Sequence, residues 1–338
     1  MTASDAPLPF PVLLGDIGGT NARFSVLEDP DSAAQAFPNA RTADFATIDD
    51  AIGATLRTSP KARPRSAVLA VAGPVNGDAI PLTNCPWVVR PRQMLDVLGL
   101  DDIVIVNDFE AQALAVSALG PEHLVAIGGG RPEAESSRVV LGPGTGLGVA
   151  GLVRARGIWV PVPGEGGHVD LGPRSTREAE IFAHVETIEG RISAEQILCG
   201  SGLVNLYRAT AAASGLASRF NDPAEVSAAG LTGEDAIAAE TLALFAVLLG
   251  RLAGDMALVF MGRGGVFLTG GIPQKILPAL QTGAFRAAFD DKAPHGALMR
   301  TMPVYAVTHP LAALVGLAAF ARQPSGYAVR MQGRRWRK

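Results

Sequence analysis

One pattern occurs twice in this chain: an apolar segment, a turn rich in glycine and threonine, and a second apolar segment. The first copy runs from Val12 to Val26 around Gly18-Gly19-Thr20, and the second runs from Val139 to Val153 around Gly144-Thr145-Gly146. Each copy predicts a hairpin of two strands. Because glycine has no Cβ, such a turn can bring backbone N–H groups close to a phosphate. Either turn alone is equally compatible with an ordinary hairpin, whereas the pair favours a phosphate site.

Two other nucleotide-binding motifs are excluded by their context. Neither turn is followed by the lysine of a P-loop, and the chain has only four lysines. The residues after Gly148 alternate as in a strand. A Rossmann dinucleotide site, in which the glycine motif opens a helix, therefore does not fit.

Apolar runs rich in β-branched residues alternate with helical patterns, which predicts an α/β architecture. The predicted strands are Val12–Gly15, Arg23–Leu27, Ala67–Ala72, Ile103–Asn107, Val139–Leu141, Val149–Val153 and Val266–Thr269. The predicted helices are Glu110–Leu119, Thr176–Ile188, a segment from Ala194 towards Ala212, Glu234–Phe260 with a break, and Pro310–Arg322. Proline-containing stretches predict loops at Ser59–Arg65 and Gly128–Ser137.

Composition restricts the classes of partner. The chain has 29 lysines and arginines against 32 acidic residues, and this balance favours neither nucleic acid nor a membrane surface. The apolar tract Thr241–Met261 contains Arg251 and Asp255, so we expect a core helix rather than a membrane span. Two cysteines without zinc-ligand spacing, and a first segment without the features of a secretory signal, predict a cytoplasmic protein.

Polar residues follow two of the predicted strands. Asp16 comes after the first strand, where its carboxylate would suit Mg²⁺ held largely through water, or would form a turn with its own backbone. Asn107 and Asp108 follow the run from Ile103. The carboxyl end of a parallel strand is where α/β sheets bind ligands. The competing interpretation is that these two residues cap the following helix.

Two glycine-rich segments later in the chain also carry candidate residues. Glu165 and His168 lie three residues apart, where they could bind a ligand with several hydroxyl groups or, with a third ligand, a metal. Gly270 and Gly271 end the last predicted strand. They could let a base or a ribose approach the backbone, or could simply form the turn into a helix.

Taken together, these motifs resemble the bacterial glucokinase family, of the type without a zinc site, in the actin-like ATPase and sugar kinase superfamily. The resemblance extends from about residue 12 to about residue 320. The segments that carry it are Gly15–Asn21, Leu82–Asn84, Val106–Phe109, Gly142–Gly148, Pro163–Asp170, Ile192–Glu195, Gly202–Tyr207 and Leu268–Ile272.

The resemblance implies a fold of two α/β domains around a cleft. Residues 1–118 and 306–322 would form the small domain, residues 119–305 the large domain, and residues 323–338 a flexible basic tail. It also implies a cytoplasmic homodimer that phosphorylates glucose at its 6-hydroxyl with ATP and Mg²⁺. Another hexose as main substrate, a sugar-sensing regulator and a chaperone-like ATPase remain as alternatives.

The resemblance also implies roles for individual residues. Asp108 would be the general base, with an ordinary carboxyl pKa, and would take the proton late. Further contacts with the sugar would come from Asn84, Asn107, Glu165, His168 and Glu195. Contacts with ATP would come from Gly18, Gly19, Thr20, Asn21, Gly144, Thr145 and Gly146, with Gly270 and Gly271 near the adenosine, and Asp16 would attend the Mg²⁺.

Overall fold

The computed structural model describes residues 7–59 and 63–338. Its strands are β1 Val12–Ile17, β2 Asn21–Leu27, β3 Gln35–Ala36, β4 Ala40–Arg41, β5 Ser66–Val71, β6 Ile80–Pro81, β7 Val88–Val89, β8 Asp102–Asn107, β9 Leu124–Ala126, β10 Arg138–Pro143, β11 Leu147–Ala155, β12 Ile158–Gly164, β13 Val266–Leu268, β14 Val304–Val307 and β15 Arg335–Arg337. All seven predicted strands are confirmed, with ends that shift by up to two residues. Positions 60–62 of the predicted loop Ser59–Arg65 lie outside the described residues.

The helices are α1 Ile48–Arg57, α2 Pro91–Val97, α3 Asp108–Ala115, α4 Thr176–Phe182, α5 Gly200–Ala213, α6 Pro223–Thr232, α7 Ala236–Phe260, α8 Gly271–Lys275, α9 Leu277–Leu280, α10 Ala284–Asp290, α11 Gly296–Thr301 and α12 Ala312–Arg322. The predicted helix from Ala194 begins only at Gly200. Its first residues are held elsewhere, because the backbone N–H groups of Ala194 and Glu195 donate to Val169 and Gly167. The prediction of Thr176–Ile188 was also too long, since α4 ends at Phe182.

The chain divides into two compact units. The first comprises 1–120, 152–163 and 309–338, and the second comprises 121–151 and 164–308. The predicted domain boundaries shift by two or three residues, and two segments are assigned differently. The segment 152–163 groups with the first unit, and so does the tail, which had been set apart from both domains.

The first unit is built on a seven-stranded sheet in the order β15-β8-β5-β1-β2-β3, with β4 also paired to β2. Strands β1, β5 and β8 are parallel to one another, and β2 returns antiparallel beside β1. Neighbouring residues of β1 enter different cores: Leu13 packs with Ile52 and Trp87, whereas Leu14 packs with Leu114 and Leu317. This alternation follows from the two-residue period of a strand and places α3 and α12 on one face.

The prediction of a flexible C-terminal tail is wrong. Residues 335–337 form β15, which pairs antiparallel with β8 at the edge of the sheet. Trp336 is 6% exposed, packs in the core and donates its indole N–H to Asp78. The basic residues of the tail face buried carboxylates: Arg335 and Arg337 both bond to Asp102. Bonds to these partners hold in place a short segment that has few apolar residues. The partners lie more than two hundred residues away in sequence, so no local pattern could predict this position.

The second unit contains most of a six-stranded sheet in the order β12-β11-β10-β13-β14-β9. Its largest helix, α7, is long and apolar enough to span a membrane, but most of it is buried in the core. The prediction of a core helix with a bonded polar edge is confirmed, since Arg251 bonds to Glu178 and Asp255 bonds to Lys292. The predicted break is absent, since α7 is continuous from Ala236 to Phe260. Gly250 and Gly254 lie inside this helix, at the positions where α10 packs closely against it.

Candidate active site

Two carboxylates lie near each other at the carboxyl ends of the parallel strands in the first unit. Asp16 lies in β1 opposite Ala70 of β5, and Asn107 lies in β8 opposite Val71. Because these strands are parallel, the side chains that follow them gather at their common carboxyl ends. Asp108, the first residue of α3, is close enough to Asp16 for the two charges to interact.

Asn107 caps the helix, as the competing interpretation of this pair proposed. Its side-chain oxygen accepts a hydrogen bond from the Phe109 N–H at 2.9 Å, and its amide group donates to the carbonyl of Gly73 at 3.3 Å. These two bonds fix the turn from β8 into α3. The Asp108 carboxylate also accepts from the Phe109 N–H, at 3.0 Å, so capping and a place for Asp108 in the site are compatible.

The electrostatics of Asp108 correct one expectation. Burial of its carboxyl group and, to a smaller extent, the negative charge of Asp16 raise the pKa of Asp108 to about 6, against the lowering effect of the Phe109 N–H. An ordinary carboxyl pKa was therefore the wrong expectation. Burial also raises the pKa of Asp16, although the Arg23 guanidinium, 3.3 Å from it, acts in the opposite direction.

The first glycine-rich turn joins β1 to β2. It is closed by a hydrogen bond from the Gly18 N–H to the carbonyl of Asn21 at 2.9 Å. Thr42 holds the outside of the turn, with its hydroxyl bonded to the Gly19 carbonyl at 2.8 Å and its N–H bonded to the Thr20 carbonyl. The N–H groups of Gly19 and Thr20 donate to no acceptor within the described part of the chain. They are available to an anion.

The backbone of Asn84 lies against this turn. A Cβ on Gly19 would be 3.0 Å from the Asn84 carbonyl oxygen, so only glycine fits here without displacing its neighbour. Asn84 itself has a positive φ of 59°, a conformation that asparagine tolerates better than most residues. The structure thus places Asn84 beside the predicted phosphate turn.

The second glycine-rich turn, in the second unit, is also closed by a hydrogen bond from the N–H of a glycine, but over two residues rather than three. The Gly144 N–H donates to the Gly146 carbonyl at 2.8 Å, and the Gly200 N–H at the start of α5 donates to the Gly144 carbonyl at 2.9 Å. Gly270 packs against the start of this turn, because a Cβ there would be 2.9 Å from the Pro143 carbonyl oxygen. Gly271 begins α8, so these two glycines also form the predicted strand-to-helix turn.

Three of the predicted sugar-binding residues come together in the second unit. The His168 Nε2 atom lies 3.8 Å from a carboxylate oxygen of Glu165 and 4.0 Å from one of Glu195. The other Glu195 oxygen accepts the Leu147 N–H at 2.8 Å, directly after the second glycine-rich turn. Glu165 is fully open to solvent at 92% exposure, whereas Glu195 is one-third exposed. Two carboxylates and one imidazole on one surface can hydrogen-bond to several neighbouring hydroxyl groups.

A magnesium ion fits the oxygen donors of the first unit. Asp16 offers a partly buried carboxylate, and the negative charge of the nearby Asp108 adds to the attraction for a divalent cation. Within residues 7–59 and 63–338 no group of three acidic, histidine or cysteine side chains is placed to hold a metal.

Sequence reasoning missed the residues that support Asp108 rather than the carboxylate itself. Glu110, the third residue of α3, is 1% exposed and is bonded to Arg334. The spacing of Asn107 and Glu110 is that of a capping box, so it is a signal that could have identified Glu110. Thr42 and Arg334 come from distant segments, and no local pattern points to them.

Comparisons with known proteins find relatives that match nearly the whole chain. The family model for glucokinase matches residues 13–324, a range that ends before β15. A glucokinase from Rhizobium etli is 62% identical over 335 residues, covering 99% of this chain and 98% of that protein. The crystal structure of a glucokinase from an Antarctic psychrotroph has a TM-score of 0.83 and 32% identity, covering 93% of this chain and 99% of that one.

A more distant structure shares the fold alone. A ROK family glucokinase from Streptomyces griseus, in complex with glucose and AMPPNP, has a TM-score of 0.61 and 21% identity, covering 93% of this chain and 99% of that chain. These structural similarities confirm the predicted α/β fold of the actin-like ATPases and sugar kinases.

Proposed function

The chain belongs to the glucokinase family, and from that membership we propose that Asp108 is the general base of its reaction. The protein is a kinase that uses ATP to phosphorylate glucose. In the proposed reaction, the glucose 6-hydroxyl oxygen attacks the terminal phosphorus of ATP and its bond to ADP breaks. The Asp108 carboxylate accepts the hydroxyl proton, which leaves glucose 6-phosphate and ADP.

The position and the pKa of Asp108 are the observation that carries this proposal. Its carboxylate stands at the carboxyl end of β8 on a helix whose first turn is capped, so its backbone is held in place. A pKa of about 6 leaves the group ionised at neutral pH, yet makes it a stronger base than an ordinary carboxylate. Since phosphoryl transfer passes through a loose transition state, we expect the proton to move late.

The two glycine-rich turns support the proposed binding of ATP. The N–H groups of Gly19 and Thr20 are available to phosphate oxygens, and Thr145 is exposed at the equivalent turn of the second unit. Amides held by a rigid turn stabilise developing negative charge without reorganisation, and this explains how the enzyme can dispense with a P-loop lysine. Mg²⁺, when bound, would neutralise charge on the phosphates. We propose that Asp16 orients it, largely through water.

The polar cluster of the second unit supports the assignment of glucose contacts. Glu165, His168 and Glu195 can each pair with a hydroxyl group, and Asn107 has one N–H of its amide left after bonding to Gly73. Asn84 lies against the first phosphate turn, so its proposed contact with the sugar is the least supported of the set. A wrong epimer would leave one of these groups unpaired, which costs about 1–3 kcal/mol per lost bond.

Measuring ADP release with Mg-ATP tests the proposal directly. Glucose should give the highest turnover among glucose, mannose, fructose and no sugar. Replacement of Asp108 by Ala or Asn should lower kcat by about 10²- to 10⁴-fold, the range expected when a general base is lost. The matched control is Asp101→Asn at the opposite end of β8, where the exposed carboxylate pairs with Arg65.

Three outcomes would contradict parts of the proposal. Full activity in Asp108→Asn would exclude the general-base role. Higher turnover with fructose or mannose than with glucose would move the proposed substrate to another hexose. Glucose binding without any sugar-dependent ADP release would identify a sensor built on a kinase fold.

A further inference from the structure

The tail brings a buried arginine to the helix that begins at Asp108. The Arg334 Nη1 atom donates to a carboxylate oxygen of Glu110 at 2.7 Å, and the two side chains are only 17% and 2% exposed. The carbonyl of Arg334 accepts the Ile105 N–H at 2.9 Å, so its backbone is fixed to β8. Arg334 thus connects the tail to the first turn of α3.

Glu110 transmits this contact to the residues around Asp108. The Asn107 N–H acts on the same carboxylate and lowers its pKa, while the Asn107 side chain accepts a hydrogen bond from the Phe109 N–H. These contacts form a modified capping box, in which the Asn107 side chain reaches the N–H of Phe109 rather than that of Glu110, and Asp108 lies between its two ends. A shift of Glu110 would therefore move the backbone on both sides of Asp108.

The burial of Glu110 makes this arrangement depend on Arg334. Burial raises the pKa of the Glu110 carboxyl, and the positive charge of Arg334 opposes that rise. A carboxylate removed from water is costly unless a partner of opposite charge and hydrogen bonds compensate it. Without Arg334, Glu110 would have to take up a proton or turn towards solvent, and either change weakens the capping box.

We propose that Arg334 is a positioning residue for Asp108, acting through its ion pair with Glu110. This inference rests on the proposed role of Asp108 as general base. It assigns a function to a segment for which the sequence predicted none, and it distinguishes Arg334 from the other basic residues of the tail. Arg335 and Arg337 both bond to Asp102, at the opposite end of β8.

The primary test compares Arg334→Met with Arg335→Met. Each substitution removes one buried arginine that pairs with a buried carboxylate, but only the first touches the capping box. We expect Arg334→Met to lower kcat by about 10- to 100-fold, since a displacement of about 1 Å can cost 10²-fold in rate. The KM for glucose should change less than kcat does, because three of the proposed sugar contacts, Glu165, His168 and Glu195, are untouched and only Asn107 belongs to the capping box. Arg335→Met should keep kcat within about threefold of the unmodified protein.

A double-mutant cycle separates this proposal from the role of Asp108. If Arg334 acts through Asp108, adding Arg334→Met to Asp108→Asn should leave the residual rate unchanged. Equal proportional losses in both backgrounds would overturn the inference while leaving the general-base role intact. Wild-type activity in Asp108→Asn would overturn both. A loss of kcat in Arg335→Met as large as that in Arg334→Met would reduce the contact to a purely structural role.

Rescue by a conservative variant completes the test. Arg334→Lys retains the charge and can make the single hydrogen bond to Glu110, so its kcat should lie closer to that of the unmodified protein than the Met variant does. If Arg334→Met does not fold, Arg334→Lys is compared with Arg335→Lys instead. A larger loss of kcat in the Arg334 variant supports the proposal, and equal losses contradict it.

Discussion

The Asp108 carboxyl group is subject to opposing demands from stability and from catalysis. Its folded-state pKa of about 6 lies above the ordinary value of 3.8, so ionisation is harder in the folded chain than in the unfolded one. The stabilising contribution of the neutral group is present below pH 4 and is lost as the pH rises through about 6. The residue proposed to act as base is thus one whose active form destabilises the fold.

Asp108→Asn should therefore become more stable relative to the unmodified protein as the pH rises. Because Asn stays neutral, the difference in unfolding free energy should shift by about 1–3 kcal/mol in favour of the variant between pH 4 and pH 8. Urea unfolding at the two pH values measures this shift. An unchanged difference would mean that Asp108 is not the buried group with the raised pKa.

Local patterns predicted the identities of the site residues but not their environments. Asp108, Glu165 and His168 belong to short motifs in the chain, so the sequence alone proposes them as site residues. The raised pKa of Asp108 depends on burial and on Asp16, which reaches it only when β1 and β8 join the same sheet. Arg334 is still further away in sequence, and its partnership with Glu110 exists only after the sheet is complete.

At the scale of elements, α7 shows how a long apolar helix carries a charge in a core. Arg251 makes two hydrogen bonds of 2.7 Å to Glu178, and the side chains are 10% and 12% exposed. Arg251→Met should lower the unfolding free energy by about 3–5 kcal/mol, because it leaves the Glu178 carboxylate buried without its partner. The double variant Arg251→Met with Glu178→Leu should recover most of that loss.

An exposed ion pair from the same unit provides the control. Arg263 and Glu133 are 3.6 Å apart and about half exposed, so Arg263→Met should change stability by less than about 0.5 kcal/mol. Urea unfolding of the three variants measures both effects. Similar small changes for Arg251→Met and Arg263→Met would show that the buried pair contributes little.

Elements were predictable where a local pattern decides them and unpredictable where distant backbone partners do. Apolar runs rich in β-branched residues identified β1, β5, β8 and β13. The segment 194–199 has a helical pattern, yet its first two N–H groups, those of Ala194 and Glu195, bond to the glycine-rich segment that contains Glu165. Likewise, β15 has no apolar alternation, and its strand form comes from pairing with β8.

At the scale of the whole molecule, the homodimer implied by family resemblance remains a prediction. Two-fold dimers are the commonest closed assembly of soluble proteins. Sedimentation equilibrium should give a mass about twice the 34.9 kDa of one chain. A monomer mass over a wide range of protein concentration would contradict it.

The pairing of β8 with β15 matters during translation, because β8 is made early and β15 last. Arg335 and Asp102, which bond to each other, are 233 positions apart in the chain, and the whole second unit is translated between them. While the chain grows, β8 therefore presents an open row of backbone donors and acceptors that can pair with other nascent chains. A ribosome that stops before position 334 would release a product with most of its residues, but with this edge uncovered and Glu110 lacking its counter-charge. Such shortened products should be prone to aggregation and poor in catalysis, so mistakes late in translation would be as damaging as early ones.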